Sequence, residues 1–512
     1  MMEYIVTAEE MKTYDNNTIR SFGVVGAVLM ERAALSVCER IVSRLGAGGK
    51  KALILCGSGN NGGDGFAIAR ILHTKQFAVR VLFAGSVQKM SDECRMQYES
   101  VLKYGIEVVH AKQSTACLDE DCDCIVDALF GVSLNRPVGG IYAQLIERVN
   151  AMSGFKVAVD IPSGIDADTG LVMGVAFRAD ETVTFAFRKA GLLLGDGKEY
   201  CGTVICADIG ITKESFCGEI PGQFSYQSCD ISRIPPRKAV SHKGSYGKVL
   251  LIAGSREIGG ACLLAAQSLY RSGCGYVRVL TEEANRNLLL SQLPEAVLST
   301  YKEDVWEVSH IRAACDFATV LVVGPGLSKS RMAKSLVEHV LFHEHKPLVL
   351  DADAINMISE EPSLKEALKT YARSQPVILT PHLLELQRFS DIEIADFKRD
   401  LLNKGLELAR QYRMILVAKD AATVVFDGRE AKETMPSVYI NQSGNDGLAT
   451  AGSGDVLTGI IGGMLAKGMD AMESACMGVY LHGLCADEAV KNSSKSYLKA
   501  GDLAQQLQYF LE

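Results

Sequence analysis

Short runs of strand-forming residues alternate with helix-length segments along nearly the whole chain. The first such segments are KALILC, GFAIARILH, AVRVLFA, SDECRMQYESVLKYG and CIVDALFG, and further strand candidates follow at FKVAVDI, ETVTFAF and GTVICADIG. Strands separated by helices form βαβ units, whose sheets are mostly parallel and are covered by helices on both faces. The sequence therefore predicts an α/β protein built from three-layer domains.

The length and one break in the alternation predict two domains. A single hydrophobic core stops growing at about 250 to 300 residues, and this chain has 512. Between about Ile211 and Gly247 the pattern lapses into a stretch with Pro221, Pro235 and Pro236, which is typical of a linker. The alternation then resumes with KVLLIAGS, YVRVLT, TVLVVGPGL and KPLVLDADAIN, with no internal repeat of the first half. We expect two different α/β domains, at residues 1–220 and 221–512.

Charge and hydropathy restrict the kind of partner. The net charge of −8 argues against a general nucleic-acid or anionic-membrane binder, which needs a basic excess. The N-terminus lacks the basic start and apolar stretch of a secretory signal, and no run approaches the roughly 20 apolar residues of a membrane helix. The 15 cysteines are dispersed, which is typical of reduced thiols. These features predict a cytoplasmic protein with small-molecule ligands, and no nucleic-acid or membrane partner.

Several cysteines and histidines were considered as metal ligands. The cluster CLDEDCDC, from Cys117 to Cys124, lacks the paired spacing of a zinc site. His339, His343 and His345 have helical spacing, but a helix end favours cationic groups for electrostatic reasons. His242 and His482 are isolated in the sequence. The sequence therefore favours roles other than metal binding for all of these residues.

The glycine-rich segment GSGNNGGDG follows the first strong strand and matches the dinucleotide fingerprint G-x-G-x-x-G. The next strand, AVRVLFAGS, ends without the acidic residue that would hold a ribose, which argues against an ordinary dehydrogenase. The N–H groups at the start of the helix GFAIAR still favour an anion. Asp64 is either an N-cap of this helix or a ligand contact.

Oxygen-bearing side chains follow two later strands of the first half. Asp127 ends one strand, and Asp160, Ser163 and Asp166 follow another. Open α/β sheets bind ligands at the carboxyl ends of their strands. Together with Asn61, these oxygens form a set that hard cations prefer.

In the order NNGGDG, DALFG with GVSLNRP, and VDIPSG, the first half resembles the NAD(P)H-hydrate epimerase domain. The resemblance implies a Rossmann-like fold, a potassium ion near Asn61, Asp127 and Ser163, and Asp160 as the catalytic acid/base. The alternative for Asp160 is a structural carboxylate bound to the turn PSG. The implied binding site for the hydrated cofactor consists of Asn60, Asn61, Gly62, Gly63, Asp64, Gly131, Val132, Ser133, Leu134, Asn135, Arg136, Pro137 and Asp160.

The second half carries the segment NQSGNDGLATAGSGDVLTGIIGGML. A glycine-rich turn from Ala451 to Gly454 brings Asp455 to the start of an apolar helix, so that N–H groups can neutralise a phosphate charge beside a carboxylate base. The alternative is a helix start that Asp455 merely caps. No G-x-x-x-x-G-K-[ST] occurs, which excludes a P-loop.

This turn resembles the G-x-G-D segment of ribokinase-like folds. Together with GPGL, DADAIN, TPH, KDAAT and HKGSYGKVLLIAGS, it resembles the ADP-dependent NAD(P)H-hydrate dehydratase. The resemblance implies that Asp455 is the base and that ADP is the phosphoryl donor, used with magnesium. The implied contacts to the hydrated cofactor are Ala261, Gly326, His382 and Asp455, and those to ADP are Lys419, Asp420, Ala421, Ala422, Thr423 and Gly454. The chain departs from the expected family pattern at Leu383, Leu384, Asp420, Asp446 and Ala451.

The two resemblances together imply a bifunctional repair enzyme for hydrated NADH and NADPH. The first half would interconvert the R and S hydrates, and the second would dehydrate the S hydrate with ADP, releasing AMP and phosphate. We also expect a homo-oligomer. One alternative is a ribokinase-like small-molecule kinase with a nucleotide-binding regulatory first half, because a fold does not specify a substrate. Another treats the first half as a non-enzymatic nucleotide-binding module.

Overall fold

The computed structural model describes residues 2–111, 121–302, 308–429 and 435–511. Packing divides the chain into two units. The first is Tyr4–Gly222, and the second runs from Gln223 to the C-terminus and also includes Met2 and Glu3. The segment interpreted as a linker contains strand β10, whose Phe224 is fully buried, so this segment is partly sheet rather than a simple connection.

The first unit has a parallel sheet with helices on both faces. Its strands are β1 (Glu3–Val6), β2 (Lys51–Cys56), β3 (Ala78–Phe83), β4 (Glu107–His110), β5 (Cys124–Ala128), β6 (Phe155–Val159), β7 (Glu181–Phe185), β8 (Arg188–Lys189) and β9 (Thr203–Ala207). Its helices are α1 (Ala8–Arg20), α2 (Gly26–Leu45), α3 (Asn60–Thr74), α4 (Asp92–Lys103), α5 (Gly140–Ala151) and α6 (Gly197–Tyr200).

The main sheet of this unit has the strand order β4-β3-β2-β5-β6-β7-β9, and all its pairings are parallel. β1 and β8 are not strands of this seven-stranded sheet; they pair in parallel with each other, and Ile5 lies opposite Arg188. Alternate side chains of β2 enter two cores, with Ile54 packed among residues of α2 and α3 and Leu55 packed against α5. The first six strands follow the Rossmann order, which reverses direction between β2 and β5.

The second unit has a larger, mixed sheet. Its strands are β10 (Gln223–Ser225), β11 (Lys248–Ile252), β12 (Tyr276–Glu282), β13 (Val297–Tyr301), β14 (Val320–Val323), β15 (Leu348–Leu350), β16 (Val377–Leu379), β17 (Ile415–Ala418), β18 (Val424–Asp427) and β19 (Val438–Ile440). Its helices are α7 (Gly259–Arg271), α8 (Arg286–Gln292), α9 (Val308–Phe317), α10 (Arg331–His343), α11 (Ala352–Glu360), α12 (Pro362–Ala372), α13 (Leu383–Ser390), α14 (Ile394–Arg399), α15 (Leu401–Tyr412), α16 (Ser453–Ala466), α17 (Ala471–Ala489) and α18 (Ala500–Gln506).

These strands have the order β13-β12-β11-β14-β15-β16-β17-β18-β19-β10. Pairings from β13 to β17 are parallel, whereas β18 is antiparallel to both β17 and β19. The strand order again reverses direction between β11 and β14, as it does between β2 and β5 in the first unit. The predicted α/β architecture with two domains is confirmed.

Candidate active sites

A cavity of about 820 Å³ lies at the carboxyl ends of β2, β5 and β6 in the first unit. This is the switch point of the strand order, where open α/β sheets bind ligands. The residues from the expected set that line the cavity are Asn60, Asn61, Asp64, Gly131, Val132, Ser133, Leu134, Asn135, Arg136 and Asp160. Gly62 and Gly63 are buried behind the lining, and Pro137 is exposed at its edge.

The glycine-rich segment is helical rather than a turn that precedes a helix. Helix α3 begins at Asn60, and Gly59 is its N-cap. The interpretation of Asp64 as an N-cap is therefore wrong. Gly62 is needed for packing, because a Cβ atom there would lie 2.0 Å from the carbonyl oxygen of Gly57. The glycines let α3 approach the end of β2 closely, which places the first turn of the helix in the cavity wall.

Carboxyl groups crowd one side of this cavity. Burial, with the nearby charges of Asp160 and Asp15, raises the pKa of Asp64 well above its usual range. Burial and the charges of Asp160 and Glu93 also raise the pKa of Asp15. This shift favours the protonated form of the Asp64 carboxyl group, which lines the cavity.

Asp160 is held by residues of β7 and β8 rather than by the turn PSG. Its Oδ1 accepts hydrogen bonds from Lys189 Nζ at 2.5 Å, Thr184 Oγ1 at 3.0 Å and the Phe185 N–H at 3.3 Å. The backbone of Asp160 has a φ of 67°, an uncommon conformation that here follows directly after β6. The structural alternative for Asp160, a bond to PSG, is wrong.

Lys189 is a site residue that sequence reasoning missed. Its side chain lines the cavity, yet the residue has no exposed surface. Besides Asp160, the ammonium group donates to Thr184 Oγ1 at 3.0 Å and to the Phe185 carbonyl at 3.1 Å. Three acceptors satisfy all three of its donors, so the buried charge is compensated. The only sequence signal was a basic pair directly after the strand ETVTFAF.

Asp127 and Ser163 form a buried pair that is not part of the cavity lining. The carboxylate accepts from the Ser163 N–H and hydroxyl, both at 2.7 Å, and from the Leu129 N–H at 3.3 Å. Burial raises the pKa of Asp127 to about 6. No cationic side chain among the described residues is paired with it. Asn61 Nδ2 is also buried without a hydrogen-bond partner, whereas Asp166 is bound within its own turn by Thr169.

In the second unit, Asp455 lies in the first turn of α16, three residues after the N-cap Gly452. Since Gly452 is the N-cap, the interpretation of Asp455 as the cap is wrong. Burial, followed by the charge of Asp351, raises the pKa of Asp455 to about 7, against the opposing effect of Lys419. A carboxyl group poised at this pKa is suited to accept a proton at neutral pH.

Asp351 organises the floor of this site, although sequence reasoning did not select it as a site residue. It directly follows β15 and is almost completely buried. Its two oxygens accept from Lys419 Nζ at 2.9 Å and from Thr458 Oγ1 at 2.7 Å. A Cβ atom on Gly454 would lie 3.3 Å from Lys419 Nζ, so the ammonium group lies against the first turn of α16.

His382 caps α13 and accepts a hydrogen bond from the Glu385 N–H at its Nδ1 atom. Burial and the charge of Lys419 lower the pKa of His382, so the imidazole is neutral at pH 7. Because Nδ1 is an acceptor, the ring proton is assigned to Nε2. The site therefore has a neutral donor at His382 and a titrating carboxyl at Asp455.

The structure brings together other expected residues in pairs. A Cβ atom on Gly326, whose φ is 59°, would lie 2.9 Å from the Ala261 Cβ, so these two residues are neighbours. The residues expected at the adenine nucleotide, 419–423, form the loop of the hairpin between β17 and β18. Only Lys419 of this loop is bound to Asp351.

The departures from the family pattern have ordinary surroundings. Leu383 and Leu384 form the first turn of α13, and Leu384 is 45% exposed. Asp420 pairs with Lys398, and the exposed Asp446 pairs with Lys495. Ala451 is also exposed and precedes the N-cap of α16.

Comparisons with known proteins agree with both halves. The family model described as NAD(P)H-hydrate dehydratase matches residues 249–509, and the model described as YjeF-related protein N-terminus matches residues 26–191. A "Bifunctional NAD(P)H-hydrate repair enzyme Nnr" of Thermofilum pendens is 34% identical over 98% of this chain and 95% of its own length. This chain belongs to the bifunctional NAD(P)H-hydrate repair enzyme family.

Other members of the repair-enzyme family are similarly related. The Moorella thermoacetica protein is 34% identical over 99% of this chain and 96% of its own, and the Escherichia coli protein is 33% identical over 89% and 84%. Among solved structures, the "ADP/ATP-dependent NAD(P)H-hydrate dehydratase from Bacillus subtilis co-crystallized with ATP/Mg2+" is 31% identical, covering 56% of this chain and 96% of that one with a TM-score of 0.46. The family expected from the sequence is confirmed by the two family models and by these full-length relatives.

Two general features of this family member complete the description. None of the described helices is long and apolar enough to cross a membrane. None of the 14 cysteines that the structure describes forms a disulfide, and Cys217 and Cys229 are the exposed ones. Cys117, the first residue of the cluster considered above, lies outside the described residues.

Proposed function

We propose that this chain repairs hydrated NADH and NADPH in two steps. The first unit epimerises the R and S hydrates, and the second unit dehydrates the S hydrate with ADP, yielding NAD(P)H, AMP and phosphate. The observation that carries the proposal is that each unit places a carboxyl group near the carboxyl ends of its strands: Asp160 lines the cavity of the first unit, and Asp455, with a raised pKa, lies near Asp351 in the second. Full-length similarity to bifunctional repair enzymes supports the pairing of both activities in one chain.

In the first unit, Asp160 acts as the acid/base. Inversion at the hydroxyl-bearing ring carbon requires protons to be moved while the ring opens or the hydroxyl leaves and returns. Lys189 fixes the carboxylate through Oδ1, which leaves Oδ2 for the substrate. Asp64 supplies a second carboxyl group in the same cavity, and burial favours its protonated form. A positioned pair of this kind contributes about 100- to 10,000-fold to a proton-transfer step.

A potassium ion at Asn61, Asp127 and Ser163 fits the buried polar groups. Asp127 is a buried carboxylate without a cationic partner among the described side chains, and burying such a charge alone is costly. Carboxylate, amide and hydroxyl oxygens are ligands that hard cations prefer. When bound, the ion would supply a fixed positive charge beneath the cavity, while Asn61 and Ser163 orient the end of β5 and the first turn of α3.

In the second unit, Asp455 removes the proton from the hydrate's hydroxyl as that oxygen receives a phosphoryl group. Hydroxide is a poor leaving group, whereas phosphate leaves readily. Departure of phosphate leaves an iminium ion, and loss of a proton from the adjacent ring carbon to solvent then regenerates the dihydronicotinamide. The N-terminus of α16 and Lys419 together place positive charge beside the carboxyl, where it stabilises phosphoryl oxygens. Positioning and electrostatics of this kind provide most of the catalysis in phosphoryl transfer.

The remaining contacts follow the same assignment. ADP binds at Lys419, Asp420, Ala421, Ala422, Thr423 and Gly454, and magnesium enters bound to its phosphates. Ala261, Gly326 and His382 contact the hydrated cofactor. In the first unit the hydrate contacts are Asn60 to Asp64, Gly131 to Pro137 and Asp160.

We also propose that the protein is a cytoplasmic homo-oligomer. Support for assembly comes from large apolar side chains that remain exposed in and just before α2, namely Phe22, Val25, Val28 and Leu35. Exposed apolar residues in such a cluster are typical of interaction surfaces. Light scattering on the purified chain measures the assembly directly.

One assay tests the proposed activities. The purified chain is incubated with mixed R and S hydrates and either ADP or ATP, and the reduced-cofactor absorbance is followed to completion. We expect ADP to restore the chromophore of both epimers with one phosphate released per hydrate. If recovery stops when half of the mixture has reacted, the proposed epimerase activity is contradicted. If a stable phosphate ester accumulates, the protein is a small-molecule kinase instead.

A further inference from the structure

Three side chains of types that bind metals form a cluster in the second unit. The cluster lies at the amino ends of the strands, whereas Asp455 lies near their carboxyl ends. It comprises Cys315 near the end of α9, His339 in the last turns of α10 and Glu344 directly after α10. Both helices lead into the amino ends of β14 and β15, whereas the proposed dehydratase site is at the carboxyl ends. The cluster is therefore separate from the catalytic groups described above.

The three side chains are buried and converge. Their ligand atoms, one from each residue, all lie within 4.8 Å of one another. His339 is 7% exposed and Glu344 is 8% exposed, and Cys315 has no exposed surface. The sequence did not indicate this cluster, because Cys315 is far in the chain from the triplet His339, His343 and His345. Of that triplet only His339 belongs to the cluster, and His343 and His345 are exposed.

The histidine nitrogen provides an independent indication of a missing partner. His339 Nε2 is buried and has no hydrogen-bond partner among the described residues, although it lies 3.3 Å from Glu344 Oε1. The two atoms are close but lack hydrogen-bond geometry. Two ligands at about 2.0 to 2.2 Å from one tetrahedral zinc ion are themselves about 3.3 Å apart. The spacing, which is that of an ion pair when the imidazole is protonated, is also that of two atoms bound to a common ion.

The backbone around the cluster is fixed by other bonds. The Tyr371 hydroxyl donates to the Lys346 carbonyl at 2.6 Å and accepts from the Lys346 N–H at 3.1 Å, which anchors the loop after Glu344. The Lys346 ammonium group donates to the Cys315 carbonyl, so that the same loop also holds the end of α9. The three ligands are thus presented by elements that are already connected.

We propose that Cys315, His339 and Glu344 bind one zinc ion, with water as the fourth ligand, and that the ion links α9 to α10. A thiolate and a carboxylate balance the charge of a divalent cation, and a site with sulfur and imidazole ligands prefers zinc over magnesium or calcium. The role of the ion is structural, because the groups proposed for catalysis lie at the carboxyl ends of the strands and the ion lies at their amino ends. This site is independent of the two proposed activities.

Zinc content tests the proposal. The full chain, purified without a metal-affinity tag, is incubated with zinc sulfate, passed through gel filtration and analysed for zinc by mass spectrometry. We expect about one zinc per chain in the unmodified protein and loss of that zinc in Cys315→Ala and His339→Gln. Cys476→Ala is the matched control, because Cys476 is a buried free thiol of the same unit outside the cluster and should leave the zinc content unchanged.

Cobalt gives a second, spectroscopic readout of the same site. Cobalt(II) bound in place of zinc should give the unmodified chain a thiolate-to-metal absorption band in the near ultraviolet, which Cys315→Ala lacks and Cys476→Ala keeps. An unmodified chain that holds no zinc after gel filtration and gives no such band would show that the three residues form a metal-free hydrogen-bonded cluster. Full zinc content in a folded Cys315→Ala protein would also overturn the assignment.

Discussion

Lys189 Nζ lies 2.5 Å from Asp160 Oδ1, and both residues face the cavity of the first unit. The lysine has no other carboxylate partner in the described ion pairs, and its remaining protons are taken by Thr184 and the Phe185 carbonyl. The pair therefore acts as one unit, in which the ammonium group sets the orientation of the carboxylate.

Removal of the lysine should abolish epimerisation and leave dehydration of the S hydrate unchanged. We expect Lys189→Met to lower the epimerase kcat by at least about 100-fold, since the acid/base loses its fixed position. Lys156→Met, which removes a lysine bound only to the Asn150 carbonyl, is the matched control. Because the pair acts as a unit, Asp160→Asn with Lys189→Met should cost about as much as either change alone. Additive losses would contradict this coupling.

Asp455→Asn should stop the dehydratase while the epimerase continues. The expected loss in kcat is about 100- to 10,000-fold, with a smaller change in KM, because a base acts in the reaction step rather than in binding. Phosphate release from ADP and S hydrate measures it. Asp446→Asn, which removes an exposed carboxylate paired with Lys495, should retain full activity. A KM effect alone would make Asp455 a binding residue.

The dehydratase rate should rise with pH through about 7. Asp455 must be deprotonated to act as a base, and its pKa is raised to about 7 by burial and by Asp351. The kcat at pH 6 should therefore be about a tenth of its plateau value, and the plateau should be reached near pH 8. A His382→Gln variant should keep the same midpoint, because the lowered pKa of His382 excludes it as the source. If the pH midpoint of kcat changes in this variant, the titrating group is His382 and not Asp455.

Epimerisation should depend on potassium through Asp127. We expect Asp127→Asn to weaken the apparent potassium affinity by at least about tenfold, as measured by epimerase rate against potassium concentration with lithium holding the ionic strength constant. Protonation competes with the ion, so the potassium requirement should increase below the pKa of about 6. Asp208→Asn, at an exposed position of the same unit, is the control. Equal epimerase rates in lithium and in potassium would show that epimerisation does not depend on potassium.

Gly62→Ala should destabilise the first unit more than Gly59→Ala does, because alanine at Gly59 loses only the N-cap preference for glycine. A Cβ on Gly62 would meet the Gly57 carbonyl oxygen at 2.0 Å, while a Cβ on Gly59 meets nothing within 4 Å. The expected cost is about 1 to 3 kcal/mol, because a backbone atom cannot move aside as a side chain can. Thermal unfolding followed by circular dichroism compares the two variants. Equal melting temperatures would mean that α3 can shift away from β2.

The sequence by itself determined the α/β class and the strands that are buried on both faces, such as β2, β5 and β14, because these read as continuous apolar runs. It also located the polar side chains Asp127 and Asp160 at strand ends and Asp455 at the start of a glycine-rich helix. Strands without such a run were missed. β4 has the sequence EVVH and β13 has VLSTY, and both are edge strands, where partial exposure permits polar residues.

Only the tertiary structure decided which groups meet. Lys189 reaches Asp160 from 29 positions away in the chain, and Lys419 reaches Asp351 from 68 positions away. The sequence also could not show that α3 begins at Asn60, because glycines suggest a turn and here serve close packing of a helix. Local sequence fixes secondary structure through side-chain periodicity, whereas ion pairs, pKa values and ligand sets arise from distances between strands and helices that are far apart in the chain.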